Sequence, residues 1–161
     1  MYRTGHYGVS LLLYAPVLAG LLAFGRSSAA LAGLLGVLAL ARVPDWDHRV
    51  PGLTHRGSTH TLAFAWLVGA LLAAAALALP GVTPGARVPL AALALFVGTY
   101  GITAHLVADA LTPSGVALFW PLTSKRYSLS LTTASNRLAN ASLLALGVFA
   151  TAVAVVLPIQ L

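Results

Sequence analysis

Five apolar runs constrain this chain more than any other feature of its sequence. They are separated by short segments rich in Gly, Pro and charged residues, and they cover residues 7–24, 28–41, 61–79, 88–111 and 138–157. A membrane-spanning helix needs about 20 apolar residues, and about 17 at the short end. The first, third, fourth and fifth runs reach that length, whereas we expect the second to cross only in part. The runs therefore predict an all-α polytopic membrane bundle of about five helices.

The composition agrees with a membrane location. Of the 161 residues, 59% are hydrophobic and only 7% are charged, whereas soluble domains carry about 25% charged residues. We expect one integral membrane domain over residues 1–161, whose first run is retained as a spanning helix and not cleaved as a signal peptide. The chain has no cysteine, which excludes disulfides and thiolate metal sites.

The basic residues predict how the bundle is oriented. If the N-terminus is cytoplasmic, the outer segments contain only Arg26 and Arg87. The cytoplasmic segments then contain the other seven basic residues: Arg3, Arg42, Arg49, Arg56, Lys125, Arg126 and Arg137. The positive-inside rule favours this orientation, with the C-terminus outside, in a plasma or inner membrane. Because the basic residues form no continuous stripe, we expect membrane lipids and no nucleic acid as partners.

This topology brings every acidic residue and every histidine to one membrane face. His6 lies at the inner end of the first helix. The segment PDWDHRVPGLTHRGSTHT, residues 44–61, contains two of the three acidic residues and three of the five histidines. His105 and Asp109 lie near the inner end of the fourth helix. We predict that these residues form one site at the cytoplasmic end of the bundle.

The acidic residues and histidines suit metal binding. His105 and Asp109, in HLVAD, are spaced i, i+4 and therefore share one face of a helix. Ionisable residues within membrane runs are usually functional, although a His–Asp hydrogen bond that supports packing would explain the same spacing. Asp45 and Asp47 are predicted to lie in a turn. One of them can bind metal while the other orients a histidine, and turn capping is the alternative.

The segment HRGSTHT adds two histidines and an arginine. Ser58 or Thr59 is predicted to cap the third helix, which would place His60 in its first turn. Arg56 lies next to His55, and a guanidinium beside a metal can hold a phosphate or carboxylate oxygen. Positive-inside charge explains Arg56 equally well.

Oxygen and nitrogen ligands without sulfur favour a divalent metal. We expect one or two ions, with Zn²⁺ first and Mn²⁺ or Fe²⁺ as alternatives. Such an ion lowers the pKa of a bound water to around 7. The sequence contains no Glu, so a general base must be Asp, His or the hydroxide on the metal.

Several motifs together resemble the YdjM family of membrane-bound metal-dependent hydrolases. They are a histidine near the N-terminus, PDWDH, HRGSTHT, HLVAD, and LTPSG followed by WP, and the resemblance covers residues 6–121. It implies an inner-membrane hydrolase.

A more distant resemblance is to the zinc-dependent phospholipase C and S1/P1 nuclease group. It implies that Asp45, His60, His105 and Asp109 bind one metal, and that His6 and a bridging Asp109 bind a second. That group uses two H-x3-D pairs, whereas this chain has one.

Two classes of function remain open. The first is a membrane-embedded, metal-dependent hydrolase of phosphoester, lipid-like substrates, in which Asp47, His55 and Arg56 are catalytic and Arg56 stabilises the developing charge. The second is a non-enzymatic membrane protein: a metal or proton transporter, or a structural metal-binding bundle. Transporters tend to place their ligands near the bilayer midplane, on repeated halves of the chain. Here the ligands are predicted at one end of the bundle, and the sequence shows no internal repeat. The sequence therefore favours the hydrolase.

Overall fold

Five α-helices form the bundle that the apolar runs predicted, and they are seen in a computed structural model that describes residues 1–159. The helices are α1 (Arg3–Ala23), α2 (Ser27–Leu40), α3 (Leu62–Ala78), α4 (Pro84–Ala110) and α5 (Arg137–Val156). Short 3-10 helices follow α2 at Pro44–Arg49 and α5 at Leu157–Ile159. Within residues 1–159, β pairing is limited to one isolated bridge between Val116 and Tyr127. The all-α prediction is confirmed.

Four segments of residues 1–159 are long and apolar enough to cross a bilayer. They are α1, α4, α5 and Ser27–Arg49, which joins α2 to the 3-10 helix that follows it. Helix α3 has 17 residues, or about 26 Å at 1.5 Å per residue, against a hydrocarbon core of about 30 Å. From the sequence we expected the second apolar run, residues 28–41, to be the one too short to cross the bilayer fully. In the structure α3 is the short helix. A 3-10 helix that begins at Pro44 lengthens the segment of α2, whereas α3 ends where the backbone becomes extended at Leu79.

Glycines allow the closest helix contacts. Helix α1 packs along α5 at Gly8 and Gly147, and α3 packs along α4 at Gly69 and Gly98. A methyl group at Gly98 would lie 2.5 Å from the Cα of Gly69, and one at Gly147 would meet the carbonyl oxygen of Gly8. Small residues of this kind let helices approach closely in lipid, where the hydrophobic effect does not drive their association.

The apolar core lies among α1, α2 and α4. Its largest member is Tyr14, which is fully buried and whose hydroxyl donates to the carbonyl of Ala30 at 3.2 Å. Tyr100 similarly donates to the carbonyl of Leu13 at 2.7 Å. Most of the other buried polar side chains, among them His6, Asp47, His60 and Asp109, lie at one end of the bundle, where α1 and α3 begin and α2 and α4 end.

Helix α3 begins later than the sequence predicted. Its N-cap is Thr61, whose Oγ1 accepts a hydrogen bond from a backbone N–H of the first turn at 3.0 Å. The prediction that Ser58 or Thr59 caps this helix is wrong, because the Thr59 hydroxyl donates to Asp47 Oδ2 at 3.1 Å instead. His60 therefore precedes α3 and does not lie in its first turn.

The link between α4 and α5 covers the same end of the bundle. The N–H of Leu62, at the start of α3, donates to the carbonyl of Leu118 in this link at 2.9 Å. Phe119, Trp120 and Leu122 are exposed there. Aromatic residues concentrate at membrane interfaces, so these exposed side chains suit an interfacial position for the link.

Candidate metal centre

Five side chains from four parts of the chain meet at this end of the bundle. His6 comes from the first turns of α1, Asp45 from the 3-10 helix, His60 from the residues before α3, and His105 and Asp109 from the end of α4. We call these five residues the polar cluster. All are buried except Asp45, whose side chain is 30% exposed. The structure thus brings together all five residues that the sequence proposed as metal ligands.

The distances within the polar cluster are close to those between the ligands of one ion, and one atom from each of His6, Asp45, His105 and Asp109 lies within 4.8 Å of the others. Asp109 Oδ2 lies 3.4 Å from both His60 Nε2 and His105 Nε2, which are 3.2 Å apart. Asp45 Oδ1 lies 3.5 Å from His60 Nε2 and 3.6 Å from His105 Nε2. His6 Nε2 lies 3.7 Å from Asp109 Oδ1 and 3.9 Å from Asp45 Oδ2. Ligand atoms about 2.0–2.1 Å from a tetrahedral zinc are about 3.3 Å apart, so these distances need only small adjustments.

Hydrogen bonds orient the imidazoles of His60 and His105 for metal binding. His105 Nδ1 is 2.8 Å from the carbonyl of Ala41, which can only accept, so this nitrogen carries the proton. The single proton of the Thr59 hydroxyl is donated to Asp47, so Thr59 accepts from His60 Nδ1 at 3.0 Å. Burial lowers the pKa of His60 and favours its neutral form. In the neutral tautomers that carry their protons on Nδ1, both Nε2 atoms have a free lone pair and can bind a cation between them.

Unpartnered polar atoms also point to a ligand. Both ring nitrogens of His6 and the Oδ2 of Asp109 are buried without a hydrogen-bond partner. The His6 ring is stacked parallel to His105 with centroids 4.0 Å apart, which holds its Nε2 beside the cluster. A buried polar atom without a partner is costly. Coordination of an ion would satisfy Asp109 Oδ2 and His6 Nε2 together.

Asp47 supports the polar cluster from outside. Its carboxylate accepts hydrogen bonds from Thr59, from the backbone N–H of Arg56 at 3.2 Å and from His55 Nδ1 at 3.1 Å. Its Oδ2 also lies 3.4 Å from His60 Nδ1. Asp47 therefore positions His60 through the nitrogen that faces away from the cluster.

Arg56 fixes the other carboxylate. Its guanidinium donates to Asp109 Oδ1 at 2.8 Å, to Thr112 Oγ1 at 3.1 Å and to the carbonyl of Gly115 at 3.3 Å. The α-amine of Met1 also donates to Asp109 Oδ1 at 3.2 Å. With Oδ1 held in this way, Oδ2 faces the histidines. The role of Arg56 in stabilising a developing charge stays a prediction.

The model of a family described as YdjM inner membrane protein matches residues 1–160. The chain belongs to this family. The resemblance that its motifs carry is thereby confirmed, and with the four apolar spans it makes the chain a multi-pass membrane protein. No curated protein and no solved structure matches the chain. The more distant resemblance to the zinc-dependent phospholipase C group receives no support.

A cavity of about 270 Å³ leads to the polar cluster of this YdjM protein. Asp45 belongs to both the cluster and the cavity wall, and its partial exposure makes it the point of contact with solvent. His55 also lines the cavity and is 39% exposed. Its Nδ1 is bonded to Asp47, which leaves the other ring nitrogen free to exchange protons.

Two further groups of side chains have metal-ligand spacing. They share His55 and consist of Asp45, His55 and His60, and of Asp47, His48 and His55. His48 is exposed and stacks on His55, with ring centroids 3.9 Å apart. These groups extend the donor atoms from the polar cluster toward the cavity.

The groups that orient the ligands were not predicted from the sequence. They include the Ala41 carbonyl, the Thr59 hydroxyl, Thr112 and the Gly115 carbonyl. A carbonyl oxygen has no sequence signal, and a threonine beside a turn is expected to cap a helix. For Thr112 and Gly115, the motif LTPSG supported only the family resemblance and gave no sign of a contact with Arg56.

Proposed function

We propose that this YdjM-family protein is a membrane-embedded, metal-dependent hydrolase of phosphoester, lipid-like substrates. The observation that carries the proposal is the convergence of the unpartnered His6 Nε2, the facing Nε2 atoms of His60 and His105, and Asp109 Oδ2 beside the solvent-accessible Asp45. Structural zinc sites are closed by four protein ligands, whereas catalytic sites keep one position open. The cavity at Asp45 provides such an opening.

The residues present fit a divalent ion. His6, Asp45, His60, His105 and Asp109 would hold it, with Zn²⁺ as the first choice, Mn²⁺ or Fe²⁺ as alternatives, and one or two ions in all. When bound, the ion supplies Lewis acidity and a water that ionises near neutral pH.

Three residues outside the polar cluster have supporting roles. Asp47 holds the tautomer and direction of His60, and Arg56 holds Asp109. His55, paired with Asp47 on the cavity wall, is suited to accept a proton and later return it to the leaving group. In this proposal Asp47 and Arg56 are positioning residues, and the catalytic roles that the sequence assigned to Asp47, His55 and Arg56 stay predictions.

The position of the site supports a substrate at the membrane. The polar cluster lies at the same end as the exposed Phe119 and Trp120. Seven of the nine basic residues belong to the segments at this end, and the positive-inside rule then favours a cytoplasmic site. A phosphoester in a lipid headgroup would lie at the depth of these aromatic side chains.

The alternative is a non-enzymatic metal-binding protein. One atom from each of His6, Asp45, His105 and Asp109 lies within 4.8 Å of the others, which gives four protein ligands and favours a closed structural site. Transport is less well supported, because the ligands lie at one end of the bundle and not at its middle.

Hydrolysis by the purified protein tests the proposal. Protein loaded with Zn²⁺, Mn²⁺ or Fe²⁺ in detergent would be assayed with phosphomonoester and phosphodiester probes, and chelator-treated protein would serve as the matched control. Asp109→Asn should abolish turnover while helical circular dichroism is retained. If no probe shows metal-dependent turnover, the catalytic proposal is wrong and the structural alternative is favoured.

A further inference from the structure

Three arginines line the cavity above the polar cluster. Arg3 begins α1, Arg42 follows α2, and Arg49 ends the 3-10 helix. Within residues 1–159, none of their guanidinium groups donates a hydrogen bond or forms an ion pair. The guanidinium groups of Arg56, Arg87 and Arg126 donate to protein acceptors. Those of Arg26 and Arg137 also lack such partners within the described residues, but neither arginine lines this cavity. We call this site, formed by Arg3, Arg42 and Arg49, the arginine pocket.

The acidic side chains do not balance the charge of the arginine pocket. It contains three acidic residues in all. Asp109 is bonded to Arg56, Asp47 is bonded to His55, and Asp45 faces the histidines of the polar cluster. Three positive charges therefore face a cavity whose wall carries one carboxylate, that of Asp45, and a divalent ion in the polar cluster would add to the positive charge. Such a potential favours an anion that carries more than one charge.

The dimensions and chemistry of the arginine pocket favour a phosphate group. Guanidinium groups form paired hydrogen bonds with phosphate oxygens. A cavity of about 270 Å³ is below the usual range of roughly 300–1,000 Å³ for sites that enclose a whole small molecule. It would therefore enclose a headgroup and leave the rest of the substrate outside.

We propose that Arg3, Arg42 and Arg49 bind the phosphate of a phosphomonoester and place it against the polar cluster. A phosphomonoester carries close to two negative charges at neutral pH, because its second pKa is near 6. A phosphodiester carries one, which would leave more of the pocket's charge unpaired. As a statement about substrate, this proposal rests on the proposed hydrolase function. A lipid such as phosphatidic acid and a soluble phosphomonoester share the recognised group.

Binding of inorganic phosphate tests the arginine pocket without requiring turnover. Calorimetric titration of the metal-loaded protein in neutral detergent would compare wild type with Arg42→Gln and Arg49→Gln. Loss of one charged hydrogen-bond donor should weaken phosphate binding about tenfold or more. Arg42→Lys keeps the charge but cannot form the paired hydrogen bonds of a guanidinium group, so it should weaken phosphate binding less than Arg42→Gln does. The metal content of each sample shows whether the polar cluster is intact.

Arg137→Gln is the matched control. Arg137 is exposed at the start of α5, at the same end of the bundle but outside the cavity, and its loss changes the charge equally. Phosphate affinity should stay at the wild-type value. If wild type does not bind phosphate, or if Arg137→Gln weakens binding as much as Arg42→Gln, the pocket is wrong and the arginines only orient the bundle.

Two further measurements separate the sources of phosphate and the two proposals. Tighter binding of phosphatidic acid in phosphatidylcholine-containing micelles than of inorganic phosphate would identify a lipid substrate, and equal affinities would identify a soluble one. If phosphate binding depends on the three arginines but no probe is hydrolysed, the arginine pocket is supported and the hydrolase proposal is wrong. If hydrolysis depends on metal but its KM is unchanged in Arg42→Gln and Arg49→Gln, the hydrolase proposal is supported and the arginine pocket is wrong.

Discussion

His60 and His105 show how single hydrogen bonds prepare this site. The carbonyl of Ala41 accepts the proton on Nδ1 of His105. The Thr59 hydroxyl donates to Asp47 and accepts the proton on Nδ1 of His60. The two free nitrogens then face each other at 3.2 Å. The groups that orient the ligands are common residues and backbone atoms, yet their hydrogen bonds control metal affinity.

The role of Asp47 gives a prediction at the residue scale. Asp47→Asn removes the charge that aligns Thr59 and His60, and metal affinity should fall about 10- to 100-fold. Thr59→Val, which breaks the same relay without changing the charge, should lower affinity in the same direction. Competition with a fluorescent chelator measures both. Unchanged affinity in Asp47→Asn, with normal helicity, would show that His60 does not depend on this carboxylate.

The sequence predicted which side chains meet but not how they are oriented. The clustering of acids and histidines followed from the topology of the runs, because four helix ends at one face bring His6, Asp45, His60, His105 and Asp109 together. The assignment of Thr59 as a cap failed because the choice between a backbone N–H and the Asp47 carboxylate depends on tertiary position. For Arg56, sequence spacing to Asp109 carries no information, since the residues are 53 positions apart.

At the scale of elements, the site depends on the contact between α3 and α4. His60 precedes α3 and His105 lies on α4, so their separation is set by how closely these helices pack. Gly69 and Gly98 allow that approach. The sequence predicted both helices from their apolar runs. It did not predict the end of α3 or the 3-10 helix at Pro44, because several residues at those boundaries suit either a turn or a helix.

A methyl group at the α3–α4 contact should therefore disturb the metal centre. Gly98→Ala would place a carbon 2.5 Å from the Gly69 backbone, which should destabilise the fold by about 1–3 kcal/mol and weaken metal binding. Gly20→Ala is the control, because a methyl group there meets nothing within 4 Å. Thermal unfolding and metal content report the two effects. Equal behaviour of the two variants would contradict the dependence of the site on this contact.

At the scale of the whole molecule, polar chemistry is concentrated at one end. Tyr2 N donates to Asn140 Oδ1 at 3.0 Å, which joins the beginnings of α1 and α5 at the end that carries the polar cluster. Arg26, between α1 and α2, and Arg87, in the first turn of α4, lie at the opposite end. The charge count favours a cytoplasmic position for the cluster, and the helix lengths alone carry no information about the side.

Cysteine labelling tests this orientation, since the chain has no native cysteine. Ser135→Cys lies before α5 at the end with the polar cluster, and Ser28→Cys lies in the first turn of α2 at the other end. Both serines are exposed. In intact cells, a membrane-impermeant maleimide should label Ser28→Cys and leave Ser135→Cys unlabelled until the membrane is opened. The reverse pattern would place the site outside.

Elemental analysis of the purified protein tests the central claim, which is that the polar cluster holds a divalent ion. We expect at least one equivalent of Zn²⁺, Mn²⁺ or Fe²⁺ per chain, retained in His48→Ala and lost in His105→Ala. His48 is the suitable control because it is an exposed histidine outside the polar cluster. A wild-type protein that stays free of metal after incubation with all three ions, or a His105→Ala protein with undiminished metal, would contradict the account.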